Sequence, residues 1–531
     1  MRSSGVLMPI TSLPSPYGVG TMGAAAREFV DFLSAGAQTY WQVLPVGPTS
    51  FGDSPYQSFS TFAGNPYLID FDDLAEKGLL KSEEYQSIEW GSDPLLVDYG
   101  TLYRERFGVL SHAVDRLLAR CPQDMLAWND ANRSWLDDYA LFMALKFENE
   151  GRPWWEWDEA LRLRRPAALD QAASKLTHEV AFWRGVQYLF FKQWDRMHEY
   201  ANEHGVQIIG DMPIYVARDS SDVWASPSEF QLDENLDPVA VAGCPPDGFS
   251  ATGQLWGNPL FNWDSMAKTG YTWWIERTRS QFKLFDVLRI DHFRGFDSYY
   301  AIPFGDKDAC RGEWLEGPGI RLFRAINGAL GKQPIIAEDL GFLTPSVHRL
   351  LKDSGYPGMK VLEFAFDSRD GGGRGYQPHN IPVNSIAYVG THDNATAMGW
   401  LEDADPADVA YAREYLGLVE GEENWGLMRG IWSSPAEVAV VQMQDLLGLG
   451  AEGRINVPST LGGNWCWRME AGAATPELAE RLAHLMDVYE RTSEFCLEKA
   501  AADAEIQDEH ALTEVAEEVA PETEPTERAA I

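Results

Sequence analysis

Asp291 in LRIDHFRG, Glu338 in IIAEDLG and Asp393 in YVGTHDN each close a short apolar run. Glycosyl transfer with retention needs such an inventory: one carboxylate attacks the anomeric carbon, and a second, protonated, donates to the leaving oxygen and then deprotonates the acceptor. A third acid orients sugar hydroxyls and stabilises the oxocarbenium-like transition state. Arg289 stands two positions before Asp291, so on an extended strand both side chains share a face, and the guanidinium is expected to keep Asp291 ionised. Glu338 follows the apolar Ile335 to Ala337 with no basic residue nearby, so desolvation should raise its pKa, as an acid catalyst requires. Any one of these acids alone reads as well as a cap, and Asp339 or Asp393 could be one. Three at comparable strand ends carry the catalytic reading.

His292 and His392 each adjoin a proposed catalytic Asp. A metal site is the rival explanation, but no His-x-His, His-Glu-x-x-His or calcium-loop pattern occurs. His392 is read as a sugar contact and His292 as structural, because neighbouring strand residues point to opposite faces. The 20 Trp, 20 Tyr and 25 Phe exceed what a core needs, and pyranose faces stack on aromatic rings. Trp256, in the Gly- and Pro-flanked segment SATGQLWGNPLF, is the preferred candidate for such stacking, whereas Trp154, Trp155 and Trp157 are read as core.

Eight apolar runs that end in polar or Gly/Pro residues supply the elements to hold these acids: 5–10, 40–46, 206–216, 286–293, 334–340, 359–366, 385–393 and 454–459. Between the later ones lie helical patterns. Ile320, Phe323, Ile326 and Leu330 recur at spacings of three and four, and Thr344-Pro345 reads as a cap and first-turn proline before a stop at Gly355. Strand alternating with helix, with acids at strand ends, predicts a (β/α)8 barrel, with an open doubly wound sheet as the alternative. The spacing is uneven. Residues 47–205 must hold an inserted helical subdomain, and 217–265 reads as a long ordered loop over the barrel mouth. The expected division is a catalytic barrel over 1–499 and an acidic, disordered tail over 500–531, where Asp503 to Arg528 carries ten acids against one base.

Of the 531 residues, 45% are hydrophobic and 23% charged, the balance of an ordinary globular chain. The net charge of -37 excludes the basic footprint that nucleic acid or an anionic membrane demands and suits a neutral substrate. Five scattered cysteines without a C-x-x-C pair point to a reducing cytoplasm, and the N-terminus lacks the features of a signal peptide.

The longer motifs, among them SSGVLMPITSLPSPYGVGTMG, GDMPIYVA, LRIDHFRGF, AEDLG, GTHDN and NVPSTLGGNWCWR, run in order over roughly residues 3–470. In them the chain resembles glycoside hydrolase family 77, the 4-α-glucanotransferases called amylomaltases or disproportionating enzymes. The resemblance implies Asp291 as nucleophile, Glu338 as acid/base and Asp393 as transition-state stabiliser, with Arg289 and His392 flanking the reactive sugar. It implies glucan contacts at Tyr56, Asp211, Asp247, Trp256, Asp367 and Asn464. It further implies α-1,4-glucans and maltooligosaccharides as ligands, with no metal and no organic cofactor. Tyr300 and Ser459 depart from the family pattern, where Trp and Gly are usual. An α-glucan hydrolase with the same three acids, and a catalytically silent glucan-binding protein, remain open as alternatives.

Overall fold

The computed structural model describes residues 2–50, 52–246, 250–341, 343–368, 373–460 and 462–502. Eight parallel strands close into a barrel: β1 (Ser3–Leu7), β2 (Tyr40–Gln42), β3 (Gln207–Met212), β4 (Val287–Ile290), β5 (Ile335–Ala337), β6 (Gly358–Val361), β7 (Ser385–Tyr388) and β8 (Val438–Gln442). Each pairs with its neighbours in sequence, and β8 closes on β1 with Ser3 opposite Val438 and Leu7 opposite Gln442. All eight C-terminal ends therefore open on one face, where a barrel of this kind puts its chemistry. The open-sheet alternative falls away.

Seven of the eight expected runs form barrel strands; the run at 454–459 does not. The eighth strand is Val438–Gln442, buried throughout. It passes directly into a helix at Met443–Leu447, with no loop between the two. Ile455 is buried while Asn456 turns outward to meet the loop after β7, which gives the 454–459 segment an apolar look without a strand. The expected helices form: Ile320–Leu330 buries Leu322, Phe323 and Ile326, and Pro345–Ser354 is capped by Thr344 and stopped by Gly355 at φ 71°.

The insertion between β2 and β3 is helical. Its helices Tyr99–Arg120 and Arg133–Glu148 pack on the 27-residue helix Thr177–Glu203 that leads into β3. Two buried glutamines of that long helix act as surrogate backbone. Gln187 exchanges both hydrogen bonds with Gly64 (2.7 and 2.9 Å), and Gln193 does the same with Asp70 (2.7 and 3.0 Å). Gly64 admits this approach because a Cβ there would lie 2.0 Å from the Phe190 ring. The segment after β2, which carries Tyr56, is fixed in this way. Trp154 and Trp157 are buried as expected, the Trp154 indole donating to Arg218 O at 2.8 Å, whereas Trp155, expected in the core with them, is only half-buried, with the Arg218 guanidinium over its ring.

The excursion after β3 is more ordered than a loop. It supplies strands Ala240–Cys244 and Gln254–Pro259 to a four-stranded antiparallel sheet completed by Ser298–Pro303 and Glu313–Glu316 from the segment after β4. Tyr300 is buried in this sheet, its hydroxyl donating to Ala309 O at 2.9 Å. Ser459 sits at φ 65°, a left-handed conformation that accounts for glycine being the usual residue there.

Past residue 474 the helix Pro476–Val488 packs on Ala24–Ala35, and Arg491 closes the N-terminal end of the β8–β1 seam. Its buried guanidinium donates to the carbonyls of Trp432, Ser3, Ser434 and Ala436 at 2.8–3.0 Å. Arg491→Met should leave these acceptors unsatisfied and cost roughly 3 kcal/mol or more. Calorimetry should register a Tm lowered by a few degrees with KM unchanged; an unaltered Tm would mean that the seam does not depend on Arg491.

Candidate active site

Strands β4 and β5 pair with Ile290 opposite Ala337, so Asp291 and Glu338, the next residues of each, emerge side by side at the barrel mouth. The two segments stay joined beyond the strands. Phe293 N–H donates to Glu338 O and Glu338 N–H to Ile290 O, both at 3.0 Å. The Glu338 carboxylate accepts one backbone N–H on each oxygen, from His292 to Oε2 and from Leu340 to Oε1, both at 2.7 Å. Its orientation is therefore set by backbone rather than by mobile side chains.

Arg289 on β4 does face the same way as Asp291, with Nη1 3.1 Å from Asp291 Oδ1. The same nitrogen lies 2.7 Å from both oxygens of Asp211 on β3, a residue buried completely beneath the mouth. Tyr56 O–H donates to Asp211 Oδ2 at 2.8 Å and lies 2.8 Å from His392 Nε2. With its single proton directed to Asp211, the tyrosine oxygen accepts from His392, which assigns the imidazole proton to Nε2. The Tyr56 ring also stacks on His392, centroids 5.2 Å apart. Asp211, Tyr56, Arg289 and His392 thus form one network under the three acids.

Burial raises both central carboxyls. Glu338 is pushed up to about 7, with the Asp291 charge adding to desolvation and Arg289 opposing it. Asp291 is pushed up to about 6, since desolvation outweighs Arg289. Arg289 favours the ionised Asp291 as expected, but the guanidinium is shared with Asp211, which repels Asp291. What survives is the order. Arg289 contacts Asp291 directly and Glu338 does not have it, so of the two Asp291 ionises first and Glu338 keeps the proton.

His292 also departs from the strand argument. Strand β4 ends at Ile290, and His292 is left-handed at φ 52°, ψ 50°, so strand alternation does not apply. Its ring meets the Trp256 ring edge-on at 4.9 Å, and its Nε2 is buried without a hydrogen-bond partner among the described residues. Burial, with Arg294 nearby, lowers it to about 4. His292 is a neutral imidazole in the mouth.

Asp393 is 46% exposed and receives Asn456 Nδ2 at 2.6 Å, with His392 Nε2 at 3.5 Å. It is not a cap; Thr396 caps the helix that follows. Asp339 is structural, accepting Met359 N–H at 2.6 Å to bridge β5 and β6. Trp256 is half-buried on the edge strand of the small sheet. Asp367 is half-buried on the loop after β6. The side chain of Asn464 is occupied within its own turn, accepting Val457 N–H and donating to Thr460. Asp247 lies outside the described residues. Among the described residues no cluster of three or more His, Cys, Asp or Glu could hold a metal ion, and no helix is long and apolar enough to cross a membrane.

The family model described as 4-alpha-glucanotransferase matches residues 8–474. The chain belongs to the 4-alpha-glucanotransferase family. It is 46% identical to a 4-alpha-glucanotransferase of Clostridium butyricum over 91% of this chain and 100% of that one. It is also 46% identical to one of Thermus thermophilus, over 92% and 99%. Among solved structures it is similar to an amylomaltase from Streptococcus agalactiae in complex with acarbose, with a TM-score of 0.90 at 43% identity, covering 93% of this chain and 100% of that one. Membership makes the chain an enzyme, a hexosyl transferase of the 4-alpha-glucanotransferase class.

Proposed function

We propose that this 4-alpha-glucanotransferase works by double displacement, with Asp291 as nucleophile, Glu338 as acid/base and Asp393 as transition-state stabiliser. The observation that carries the reading is the register of β4 and β5. Adjacent strands lie about 4.8 Å apart. Carboxyls leaving them at matched positions suit the roughly 5–5.5 Å spacing of retaining enzymes better than the 6.5–9.5 Å of inverting ones. Asp291 attacks the anomeric carbon of an α-1,4-glucan while Glu338 protonates the departing 4-oxygen. Glu338, now a carboxylate, then takes the proton of an acceptor 4-hydroxyl as that oxygen displaces Asp291. Arg289 and His392 flank the reacting sugar, while Asp211 and Tyr56 hold them from below. In this proposal Asn464 acts indirectly, by shaping the turn beside Asn456 that contacts Asp393.

Donor and product bonds are alike, so the reaction needs no cofactor and no net driving force. Transfer must outrun hydrolysis, which asks for acceptor subsites that exclude water from the intermediate. Trp256, held against His292, is the proposed acceptor platform, and Asp247 and Asp367 are proposed glucan contacts. A reducing cytoplasm is the proposed compartment, in keeping with Cys121, Cys310, Cys466 and Cys496 standing as thiols.

Maltotriose alone, without added metal, tests this. A ladder of longer maltooligosaccharides with accompanying glucose is expected; glucose and maltose without longer chains would return the hydrolase alternative, and an unchanged substrate the binding-protein one. The pH profile is a second test. Glu338 donates only while protonated, so kcat/KM should fall as pH rises above about 7. On the acid side it should fall as Asp291 takes up a proton, from about 6 downward. A rate still climbing at pH 9 would rule out Glu338 as the acid.

A further inference from the structure

We propose that Glu363 and Asp445 are positioning residues that grip the turn of residues 390–396 from both sides and, through Asn394, set the place of Asp393. The inference rests on Asp393 being part of the catalytic machinery. It starts from a difficulty: Asp393 is nearly half exposed, so little packing fixes it, and its position must come from the backbone that carries it.

That backbone lies between two buried carboxyls, from the segments that follow the strands flanking β7. Glu363, two residues past β6, has its N–H bonded to Val389 O at 3.2 Å. A Cβ on Gly390 would lie 2.6 Å from Glu363 Oε1, so the carboxyl presses against the start of the turn and only glycine leaves it room. Asn394 Oδ1 accepts both the N–H and the hydroxyl of Thr391, at 3.0 and 2.9 Å. Asn394 Cβ lies 3.0 Å from that same Cβ position on Gly390, so Asn394 and Glu363 meet over the glycine. Thr391 Oγ1 in turn lies 3.3 Å from Asp393 N. Glu363, Asn394, Thr391 and Asp393 form one continuous chain of contacts.

On the other side Asp445, fully buried in the helix after β8, accepts Ala397 N–H at 2.7 Å and so pins the exit of the turn. Gln442 Nε2 holds Ala395 O at 3.2 Å, and Arg454 Nη2 holds Asp393 O at 3.2 Å. Glu363 Oε1 and Asp445 Oδ2 are both buried without a hydrogen-bond partner among the described residues. Burial raises each: Glu363 well above the carboxylate range, with the Asp445 charge adding to burial and Arg454 partly offsetting it, and Asp445 to about 7, with backbone N–H donors opposing. Two such costly groups bracketing one turn are not explained by folding alone, since an apolar pair would pack there without the desolvation cost.

A double-mutant cycle separates positioning from mere packing. Glu363→Ala should lower kcat on the order of a hundredfold, the scale of a misplacement near 1 Å, with a smaller change in KM. Glu363→Gln, neutral and of the same shape, should stay within a few-fold of wild type. In an Asp393→Asn background, Glu363→Ala should cost no more than about twofold, because the residue it positions has lost its charge. An equal loss in both backgrounds, or a loss matched by the unfolded fraction in a thermal melt, would overturn the proposal. Wild-type turnover of Asp393→Asn alone would instead remove Asp393 from the reaction, and this inference with it. If Glu363→Ala does not fold, Asn394→Ala, half-buried on the turn itself, is put through the same cycle with the same expectations.

Discussion

Glu338→Gln is expected to lower kcat on maltotriose by a thousandfold or more, about 4 kcal/mol of barrier, while maltotriose still binds. The glucan 4-oxygen is a poor leaving group, and an amide has no acidic proton to give it. The same variant should be far less impaired with an α-glycosyl fluoride, because fluoride departs without protonation. Transfer of the resulting glycosyl unit to an acceptor should then stall, since no base takes the acceptor proton, and the intermediate should accumulate. The pattern of loss by leaving group identifies the acid more securely than the loss itself. One structural effect has to be separated out. Both Glu338 oxygens accept backbone N–H groups, from His292 and Leu340, and a Gln nitrogen must face one of them. That conflict costs roughly 1–3 kcal/mol of stability, so Glu338→Ala, which avoids it, is the companion variant. Turnover of maltotriose within tenfold of wild type in both variants would take Glu338 out of the mechanism.

The barrel was largely legible because parallel strands buried on both faces read as short apolar runs, seven of which lead into loops. The eighth is hidden for a physical reason: Val438–Gln442 passes into the helix Met443–Leu447 with no loop between them, whereas 454–459, with a buried Ile455 and a following Pro, imitates the pattern. The small antiparallel sheet was illegible for a different reason. Its four strands come from two segments separated by β4, and a pairing between Ala240–Cys244 and Ser298–Pro303 leaves no local signal in either.

At the site, two of the three expected acids, Asp291 and Glu338, directly follow their strands while Asp393 lies five residues past the end of β7, and spacing was enough to pair Arg289 with Asp291. The arguments that failed were those that extended strand geometry past the strand. His292 turns left-handed one residue beyond Asp291, which brings its ring to Trp256 instead of the opposite face. Asp211 was named from resemblance as a glucan contact, yet it is sealed below the mouth, and its partners Arg289 and Tyr56 come from segments remote in sequence. Asn456, Glu363 and Asp445 carried no signal that separates them from surface or capping residues, because what distinguishes them is burial and contact across β6, β7 and β8. Only the glycine of GTHDN, pressed by Glu363, hinted at close packing there.

Asp291→Asn should have the larger effect of the two central substitutions, lowering kcat by about 10⁴ or more, at least 5.5 kcal/mol, because it removes the proposed nucleophile. Its fold should survive. Arg289 keeps both short contacts to Asp211, and a repulsion between adjacent carboxyls disappears. The Asp291 charge stands second only to burial in raising Glu338, so in the variant the Glu338 carboxyl should titrate lower than about 7, which a carboxyl-observing infrared or NMR titration can follow. Covalent trapping then distinguishes Asp291 from Asp393, the other acid within reach of a sugar. A slow-turnover 5-fluoro-α-glycosyl fluoride should add its glycosyl mass to wild type on the peptide containing Asp291, and to Asp291→Asn not at all. Label on the Asp393 peptide would exchange the two roles. The geometry argues against that exchange: Asp291 is oriented by Arg289 at 3.1 Å and faces the acid across matched strands, whereas Asp393 is held by Asn456 and His392 on a turn several residues beyond β7. Such a turn is well placed to grip sugar hydroxyls and poorly placed for in-line attack.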